Sequence, residues 1–475
     1  MIAFLVAGTA SGVGKTTVSL ALMAALRQRG FAVQPFKCGP DFLDASHHSA
    51  ICGRASRNLD GWMLDLHANR GIFDSACRDA QVAVVEGMMG LFDGVAGGGE
   101  EGSSGEMAKR LGLPVVLVLD ASTSARSIAA VVKGFETFDP ELRFAGVVLN
   151  GVAGESHYRM LEAAIVSSCK LPILGWLPRN SELAIPERHL GLHGAAEQEN
   201  SPEKLEERLK AWAAFAEANL DLDSILRNRD CAYLPDQPVQ PAVPAEAPLV
   251  VSGEKIRLGV ARDQAFSFYY EDNFDLLREF GAELVEFSPL TGSFPENLDA
   301  LYFGGGYPEL HAQRLSENRT LLAAVRSFAS AGRPIYAECG GMMYLAQTLT
   351  NVEGETFPMA AVLPLAVQMT RRLVHFGYAE AEFTLDCLLG RKGTRMRGHS
   401  FHCSQAALTG ELDTAYRVRF SLSGREENEG YSRGCVLASY IHLHFRANPQ
   451  AARAFLEHAL HGRKASALRT QEFAG

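Results

Sequence analysis

The chain has 475 residues, of which 47% are hydrophobic and 21% charged, and its formal net charge is −10 at pH 7. This length predicts two domains, because one hydrophobic core rarely serves so long a chain. The acidic balance disfavours nucleic acid as the main partner, and no apolar run approaches the roughly 20 residues that span a membrane.

The remaining composition is typical of a cytoplasmic protein. Residues 1–17 have no basic segment before their apolar run and continue into glycines, which favours a buried first strand over a secretory signal. The nine cysteines form no C-x-x-C pair, which argues against a disulfide framework and a structural zinc site.

Short apolar runs alternate with helix-length segments through the first half of the chain. Continuous Val, Ile and Leu between Gly and Asp is typical of parallel strands that are covered on both faces. The predicted strands are 2–8, 31–37, 81–87, 114–120, 144–150 and 172–178, and a helix is predicted over 18–30. This half is therefore predicted to be an α/β domain with a parallel sheet.

A proline-rich stretch, LPDQPVQPAVPAEAPLVVSGEK at 234–255, separates the two halves and has the composition of an extended spacer. We therefore predict a domain over 1–225, a linker over 226–254 and a second α/β domain over 255–465. In the second domain the predicted strands are 256–261, 283–289, 300–306, 333–341 and 434–445, and the predicted helices are 273–281, 318–332 and 448–460.

The segment GTASGVGKTT, residues 8–17, follows a predicted strand and opens a predicted helix. This is the setting of a P-loop, whose glycines let backbone amides turn towards phosphate oxygens at a helix N-terminus. Lys15 would add a positive charge, and the Thr16 hydroxyl could reach Mg²⁺. The strict pattern has glycine at position 9, where this chain has Thr9. The predicted ATP-binding residues are Gly12, Gly14, Lys15, Thr16 and Thr17.

Acidic side chains follow two further strands of this half. Glu86 lies at the end of the strand at 81–87, and Asp93 follows a short loop later. The strand at 31–37 leads into a polar cluster of Lys37, Asp41, Asp44 and His47. Because strand ends that face a P-loop carry metal carboxylates, we predict Thr16, Glu86 and Asp41 as Mg²⁺ ligands. The alternatives are a solvated acid at Glu86 and an ordinary polar loop at the cluster.

These motifs resemble a known family. The loop at 8–17 is similar to the modified P-loop of dethiobiotin synthetase-like ligases. Five further segments resemble cobyrinate a,c-diamide synthases, in this order: FKCGPDFLD, NLDGWM, VVEGMMGLFDG, GVVLNGV and ERHLGL. That family uses ATP and glutamine to amidate two carboxylates of a corrin or related tetrapyrrole. The resemblance implies that Lys15, Thr16 and Glu86 serve ATP and Mg²⁺. It places the macrocycle and its reacting carboxylate near Asp41, Phe42, Leu43 and Asp93.

In the second half, the segment ECGGMMYL at 338–345 places Cys339 and two glycines at the end of the predicted strand 333–341, directly before a predicted helix. This is the layout of a nucleophile elbow, in which a sharp turn exposes the sulfur and the helix N-terminus favours its thiolate. The alternative is a buried thiol at a strand end, since free cysteine is often buried.

Two further features favour a catalytic cysteine. Gly304, Gly305 and Gly306 end a neighbouring strand, so a backbone amide there, with that of Gly340, could bind an oxyanion. We predict Gly305 and Gly340 for this role. The late segment SYIHLHF carries His442 and His444, which would share one face of an ideal strand.

These parts resemble the class I glutamine amidotransferase domain, in which a cysteine releases ammonia from the glutamine amide. The forms YAECGGMMYL and SYIHLHF are similar to the branch in cobyrinate and cobyric acid synthases, and the resemblance makes Cys339 and His442 the catalytic pair. His444 occupies the position of the glutamate in the usual H-x-E ending, so the third triad member stays open and a Cys–His dyad is an alternative.

The common G-x-C-x-G-x-Q elbow also differs, with Ala337 and Met343 in place of its first glycine and its glutamine. The segment RGHSFHCS resembles a family motif, with His399 and His402 either as substrate contacts or as ordinary polar residues on a strand.

The two resemblances imply an ATP-dependent, glutamine-hydrolysing amide ligase of cobalamin biosynthesis. Phosphorylation would activate a carboxylate, and ammonia would travel from Cys339 to the P-loop site. Hydrogenobyrinate and nickel sirohydrochlorin are alternative substrates, and a cobyric acid synthase fits the motifs less well. A P-loop regulatory ATPase with an inactive amidotransferase-like domain is the alternative from another class. Expected partners are a corrinoid or related tetrapyrrole, glutamine and ATP, with Mg²⁺ as cofactor and neither nucleic acid nor membrane. The oligomeric state stays open, with a homodimer among the alternatives.

Overall fold

The structure is a computed structural model that describes residues 1–95, 99–183, 202–234, 248–249 and 255–472. It divides into two compact units, Met1–Ala242 and Val243–Gly475. Most of the proline-rich stretch lies outside the described residues, and the domain boundaries at 225 and 255 stay a prediction. Among the helices of the described residues, none combines the length and the apolar character that a membrane span requires.

The first unit is built on one seven-stranded parallel sheet with the order β3-β2-β4-β1-β5-β6-β7. Its strands are β1 Ile2–Gly8, β2 Val33–Cys38, β3 Arg57–Leu59, β4 Val82–Gly90, β5 Val115–Asp120, β6 Phe144–Val152 and β7 Ile173–Pro178. Its helices are α1 Lys15–Gln28, α2 Phe42–Cys52, α3 Leu66–Ala76, α4 Ser104–Leu111, α5 Ile128–Phe138, α6 Glu155–Val166, α7 Pro202–Asn219 and α8 Leu222–Arg227. The predicted α/β class and parallel sheet are confirmed.

The apolar runs that predicted the strands and the first helix form the interior of this unit. β1 is buried along nearly its whole length, and the apolar side chains of α1 are buried as well. Trp212 of α7 belongs to the same core. Because all strands are parallel, their carboxyl ends share one edge of the sheet, and there β1, β2 and β4 lead into the P-loop, the start of α2 and the Glu86 region.

The second unit has a ten-stranded mixed sheet and a separate four-stranded sheet, β13-β12-β14-β17. The large sheet has the order β21-β16-β15-β18-β19-β20-β11-β10-β8-β9, and β9, β8, β10, β11 and β20 pair in parallel. The first four strands of this unit are β8 Ile256–Ala261, β9 Ala282–Phe287, β10 Ala300–Phe303 and β11 Ile335–Glu338. The later ones are β12 Thr348–Thr350, β13 Thr356–Pro358, β14 Leu365–Met369, β15 His375–Phe383, β16 Arg395–His402, β17 Ser404–Leu408, β18 Asp413–Phe420, β19 Glu426–Arg433, β20 Val436–Ser439 and β21 His442–Leu443.

The helices of this unit are mostly short. They are α9 Glu271–Glu279, α10 Ala312–Glu317, α11 Arg319–Ser330, α12 Gly340–Leu345 and the terminal α13 Pro449–Glu472. Short 3₁₀ turns occupy Pro308–His311 and Phe445–Ala447. The predicted strands at 256–261, 283–289 and 300–306 and the three predicted helices are therefore confirmed, and their ends shift by at most three residues except at the end of the last helix, which continues to Glu472. The strand predicted over 333–341 is shorter, Ile335–Glu338, because a helix begins at Gly340.

The prediction of one continuous strand over 434–445 is wrong. β20 ends at Ser439, and two residues later β21 pairs with β16 instead. Side chains cause the break, because the Glu429 carboxylate accepts from the Tyr440 amide at 2.6 Å and the Ser439 hydroxyl accepts from the Ile441 amide at 2.9 Å. Backbone donors that would extend the ladder are thereby taken.

Candidate active sites

The P-loop has the backbone that its glycines predicted. Gly12 and Gly14 have φ of 78° and 96°, and Gly14 is the N-cap of α1. A Cβ at Gly14 would collide with the amide of Asn150, which donates to the Val13 carbonyl at 2.9 Å. Asn150, at the end of β6, therefore holds the loop from the neighbouring strand end and requires glycine at position 14.

Lys15 and Thr16 lie where the motif places them. Lys15 Nζ donates to the Ala10 carbonyl at 3.2 Å, within the loop. Burial and the nearby Lys37 ammonium lower the pKa of Lys15. An anion bound in the loop would relieve this repulsion. The Thr16 hydroxyl donates to Glu86 Oε1 at 2.8 Å, so the structure brings these two predicted residues together.

Glu86 is the centre of a buried polar cluster. Lys37 Nζ lies 2.9 Å from Glu86 Oε1, and His48 Nε2 lies 2.7 Å from Oε2. Lys37 also pairs with Asp44 at 2.6 Å. Burial alone would raise the pKa of Glu86, but Lys37 and His48 hold it below its ordinary value. The alternative of a solvated acid at Glu86 is therefore wrong, because the side chain is fully buried.

The remaining predicted acids make contacts of a different kind from those of Glu86. Asp41 is the N-cap of α2, and its Oδ1 accepts from the amides of Leu43 and Asp44 at 2.8 and 3.0 Å. Phe42 and Leu43 form the half-buried first turn. Burial and the Asp41 charge raise the pKa of Asp44, although Lys37 opposes this shift. Asp93 Oδ2 accepts from the Gly90 amide at 2.8 Å, after β4.

Thr16 and Glu86 carry the oxygens that could bind Mg²⁺ in this unit. Within the described ranges, no group of three or more His, Cys, Asp and Glu side chains has the arrangement of a metal site. Magnesium commonly takes one or two protein oxygens and completes its shell with substrate phosphates and water. Thr16 and Glu86 can supply those two, although Glu86 also accepts from Lys37 and His48. Asp41 uses Oδ1 to cap α2, and its role as a Mg²⁺ ligand stays a prediction.

Cys339 has the predicted elbow geometry. β11 ends at Glu338, α12 begins at Gly340, and Cys339 between them has φ 47° and ψ −104°. A non-glycine residue in this conformation costs about 1–3 kcal/mol and is typical of functional sites. A Cβ at Gly341 would collide with the Phe303 carbonyl, so the turn packs directly against the end of β10.

The expectation of an open sulfur and a favoured thiolate is wrong. Cys339 is only 6% exposed, and its Sγ lies 4.0 Å from the Phe401 carbonyl oxygen. Burial and the Glu309 charge raise the pKa of the thiol to about 12, although the Gly340 amide opposes the shift. The resting group is therefore a neutral thiol that needs a base before it can attack.

His442 supplies a neutral imidazole beside the elbow. Burial and, secondarily, His402 lower its pKa to about 3. A Cβ at Gly305 would collide with the ring and lie 3.2 Å from Nε2, while Gly306 N lies 3.1 Å from the Cβ position of Gly340. The imidazole and the elbow thus meet at the same glycine turn.

The predicted oxyanion donor at Gly305 is not available in this structure. Its N–H donates to the Phe268 carbonyl at 3.2 Å. This pairing joins the turn to the segment before α9, which sequence spacing did not indicate. Gly340 keeps its predicted place, and its amide faces the Cys339 sulfur. The Gly306 amide, beside Gly340, is the better second donor by position.

The other histidines occupy distinct positions. His399, on β16, stacks on His442 with ring centroids 4.8 Å apart and contacts the Tyr270 hydroxyl at 3.0 Å. His402 stacks on Tyr440. Contrary to the ideal-strand expectation, His444 does not continue the strand, since it caps the Phe445–Ala447 turn. Burial lowers the pKa of both His399 and His402.

Comparisons with known proteins find a matching family model for each half of the chain. The family model of the CobQ/CobB/MinD/ParA nucleotide binding domain matches residues 4–192, and that of the CobB/CobQ-like glutamine amidotransferase domain matches residues 257–450. A cobyrinate a,c-diamide synthase of Leptospira interrogans (strain Fiocruz L1-130) is 42% identical over 96% of this chain and 98% of its own length. Proteins of the same name from Streptococcus sanguinis (strain SK36) and Salmonella typhimurium (strain LT2) are 42% and 41% identical, each over 96% of this chain and 98% and 97% of theirs. The chain belongs to the cobyrinate a,c-diamide synthase family.

This membership confirms the resemblance that the motifs carried. One motif, ERHLGL at 187–192, lies outside the described residues. Sequence reasoning missed the contact of His48 with Glu86, for which the only signal was the i, i+4 spacing of Asp44 and His48 on one helix face. It also missed a role for Glu338, a buried acid directly before the cysteine, because its contacts with Leu443 and His442 join residues distant in sequence.

Proposed function

We propose that this chain uses ATP and glutamine to convert the a and c side-chain carboxylates of cobyrinate into amides, in the synthesis of cobalamin. The observation that carries the proposal is the presence, in one chain of this family, of a P-loop with a Thr16–Glu86 pair and a cysteine elbow beside a neutral histidine. The first suits phosphoryl transfer, and the second suits release of ammonia from glutamine.

The first unit would activate the carboxylate. A carboxylate anion is a poor electrophile, so its oxygen must first attack the γ-phosphorus of ATP and displace ADP. The P-loop amides and Lys15 would bind the phosphates, and Lys37 lies in the same charged cluster. Thr16 and Glu86 would hold Mg²⁺, which when bound neutralises charge on the transferring phosphoryl group.

The second unit would supply the nitrogen. The Cys339 S–H proton moves to His442 as the sulfur attacks the glutamine amide carbon, and the imidazolium returns a proton to the departing nitrogen. Ammonia leaves, and water cleaves the thioester to glutamate and the free thiol. Ammonia then attacks the acyl phosphate, and phosphate departs with one oxygen of the former carboxylate.

The substrate end of the proposal rests on the family resemblance. Asp41, Phe42, Leu43 and Asp93 would line the macrocycle site, and the half-buried first turn of α2 leaves Phe42 and Leu43 partly accessible. Hydrogenobyrinate and nickel sirohydrochlorin offer the same carboxylate chemistry and remain alternatives to cobyrinate.

The experiment is mass spectrometry of products after incubation with ATP, Mg²⁺, glutamine and each of the three macrocycles. Two successive losses of about 1 Da, each the exchange of OH for NH₂, are expected on cobyrinate. Modification of another macrocycle alone would replace the substrate, and modification of none would contradict the ligase proposal. Glutaminase activity that ATP and a macrocycle stimulate would exclude a regulatory ATPase with an inactive second domain.

A further inference from the structure

Glu338, the last residue of β11, carries a carboxylate that three elements hold in place. Its Oε1 accepts from the Tyr336 hydroxyl at 2.7 Å and from the Leu443 amide at 3.0 Å. Its Oε2 accepts from the Tyr302 hydroxyl at 3.0 Å. The side chain is buried, and so are both tyrosines. A carboxylate fixed in this way has a defined direction towards its remaining neighbours.

One of those neighbours is the imidazole of His442. Glu338 Oε2 lies 3.9 Å from His442 Nδ1, and both side chains are almost fully buried. The other ring nitrogen, Nε2, is on the side of the glycine turn against which the elbow packs. The distance exceeds a hydrogen bond, but catalytic hydrogen bonds in ligand-free sites are often long and tighten on substrate binding.

His444 occupies the position of the glutamate in the usual H-x-E ending, and its side chain makes other contacts. His444 packs against Tyr270 with ring centroids 4.6 Å apart and a 33° tilt, and its Nδ1 accepts from the Arg446 amide at 3.3 Å. Its side chain is therefore part of the turn after β21. The carboxylate beside the catalytic imidazole comes instead from the residue before the nucleophile.

We propose that Glu338 is the positioning carboxylate of the glutaminase site, orienting His442 through Nδ1 and balancing the charge that His442 gains from the Cys339 proton. This inference rests on the proposed function, since it assumes that Cys339 and His442 react with glutamine. In the step concerned, the S–H bond breaks, an N–H bond forms at Nε2, and the sulfur electron pair attacks the amide carbon. Before the step all three partners are buried, so the new imidazolium needs a nearby anion.

The inference predicts a pH dependence. Burial raises the pKa of Glu338 to about 7, although the Leu443 amide, Tyr336 and Tyr302 oppose the shift. The groups that face it are the hydroxyls of Tyr302 and Tyr336 and the ring of His442, with Tyr269 and Tyr416 farther away and Cys339 adjacent in the chain. As the pH falls through about 7, Glu338 takes up a proton and its support for the imidazolium is lost.

The test compares Glu338→Gln with Asp299→Asn in the full-length enzyme. Asp299 is a matched control, because it is also a buried carboxylate, accepts from the Arg257 amide at 2.8 Å, and directly precedes β10, at the opposite end of that strand from the glycine turn. At pH 8, E338Q is expected to lower kcat for glutamine hydrolysis by roughly 100-fold or more, by analogy with loss of the acid from a catalytic triad. KM for glutamine should change by less than about threefold, and D299N should stay within about threefold of wild type in both constants.

Three further measurements separate positioning from folding. Wild-type kcat/KM for glutamine should fall below about pH 7, E338Q should show no such limb, and Glu338→Asp should restore it because the carboxylate is kept. Amidation with added ammonium should be unchanged in E338Q. Equal losses of glutaminase in E338Q and D299N, or an unchanged acid limb in E338Q, would overturn the inference. The proposed function fails separately, if His442→Asn or Cys339→Ala retains full glutaminase activity.

Discussion

The buried cluster around Glu86 allows a prediction about stability that does not depend on catalysis. Glu86→Gln removes a charge that contacts Thr16, Lys37 and His48 at 2.8, 2.9 and 2.7 Å, with no exposure to water. Breaking a buried ion pair on one side costs about 3–5 kcal/mol. Because Lys37 keeps Asp44 at 2.6 Å, we expect the lower end, about 3 kcal/mol.

Tryptophan fluorescence during urea unfolding measures this loss of stability in the unit that contains Glu86. The three tryptophans, Trp62, Trp176 and Trp212, all lie within Met1–Ala242. With a urea m-value of about 3 kcal/mol/M, the E86Q midpoint should fall by about 1 M. Glu141→Gln is the control, because this exposed side chain lies 3.7 Å from Lys109 and should change stability by less than about 0.5 kcal/mol.

The sign of the pH dependence follows from the lowered pKa of Glu86 in the folded protein. A carboxyl whose pKa falls on folding stabilises above its unfolded pKa, about 4.3 for glutamate, and loses that contribution as the pH decreases further. The difference between wild type and E86Q should therefore be constant from pH 8 to about 5 and shrink below about 4.5. Equal urea midpoints at pH 7, or a difference that grows in acid, would refute the reasoning.

Two further variants test the two loops at the strand ends. Cys339→Ala should abolish glutamine-dependent amidation while ammonium-dependent amidation stays within about threefold of wild type, measured by product mass spectrometry; loss of both would count against separate sites. Gly14→Ala should weaken ATP binding at least about tenfold, because the added Cβ would collide with Asn150; calorimetry measures the affinity. Gly30→Ala is the control, since Gly30 has a similar φ of 87° with open space around it. The ATP affinity of this variant should be unchanged. Equal losses of affinity in both variants would point to backbone strain alone.

Much of the fold was predictable because its signals are local. Continuous apolar strands, the glycines at 12 and 14, and the order of strand, loop and helix all lie within short segments. The cysteine elbow was predictable for the same reason. Each of these features depends on backbone preferences that neighbouring residues set.

The features that were missed depend on contacts between distant residues. Glu338 and His442 are 104 positions apart, and they meet because β21 pairs with β16 after β20 has ended. The Gly305 amide is taken by Phe268, and the burial of Cys339 involves the Phe401 backbone. No local pattern encodes such pairings, since the burial of a polar group is decided by packing across the whole unit.

The central claim, that ATP activates a carboxylate which then receives nitrogen from glutamine, is tested most directly by isotope transfer. The enzyme is incubated with ATP, [¹⁵N-amide]glutamine and cobyrinate whose carboxylates carry ¹⁸O, and both the product and the released phosphate are analysed by mass spectrometry. The account predicts two ¹⁵N atoms in the doubly amidated product and one ¹⁸O in each phosphate. Phosphate free of ¹⁸O beside a ¹⁵N-labelled product would contradict the acyl phosphate.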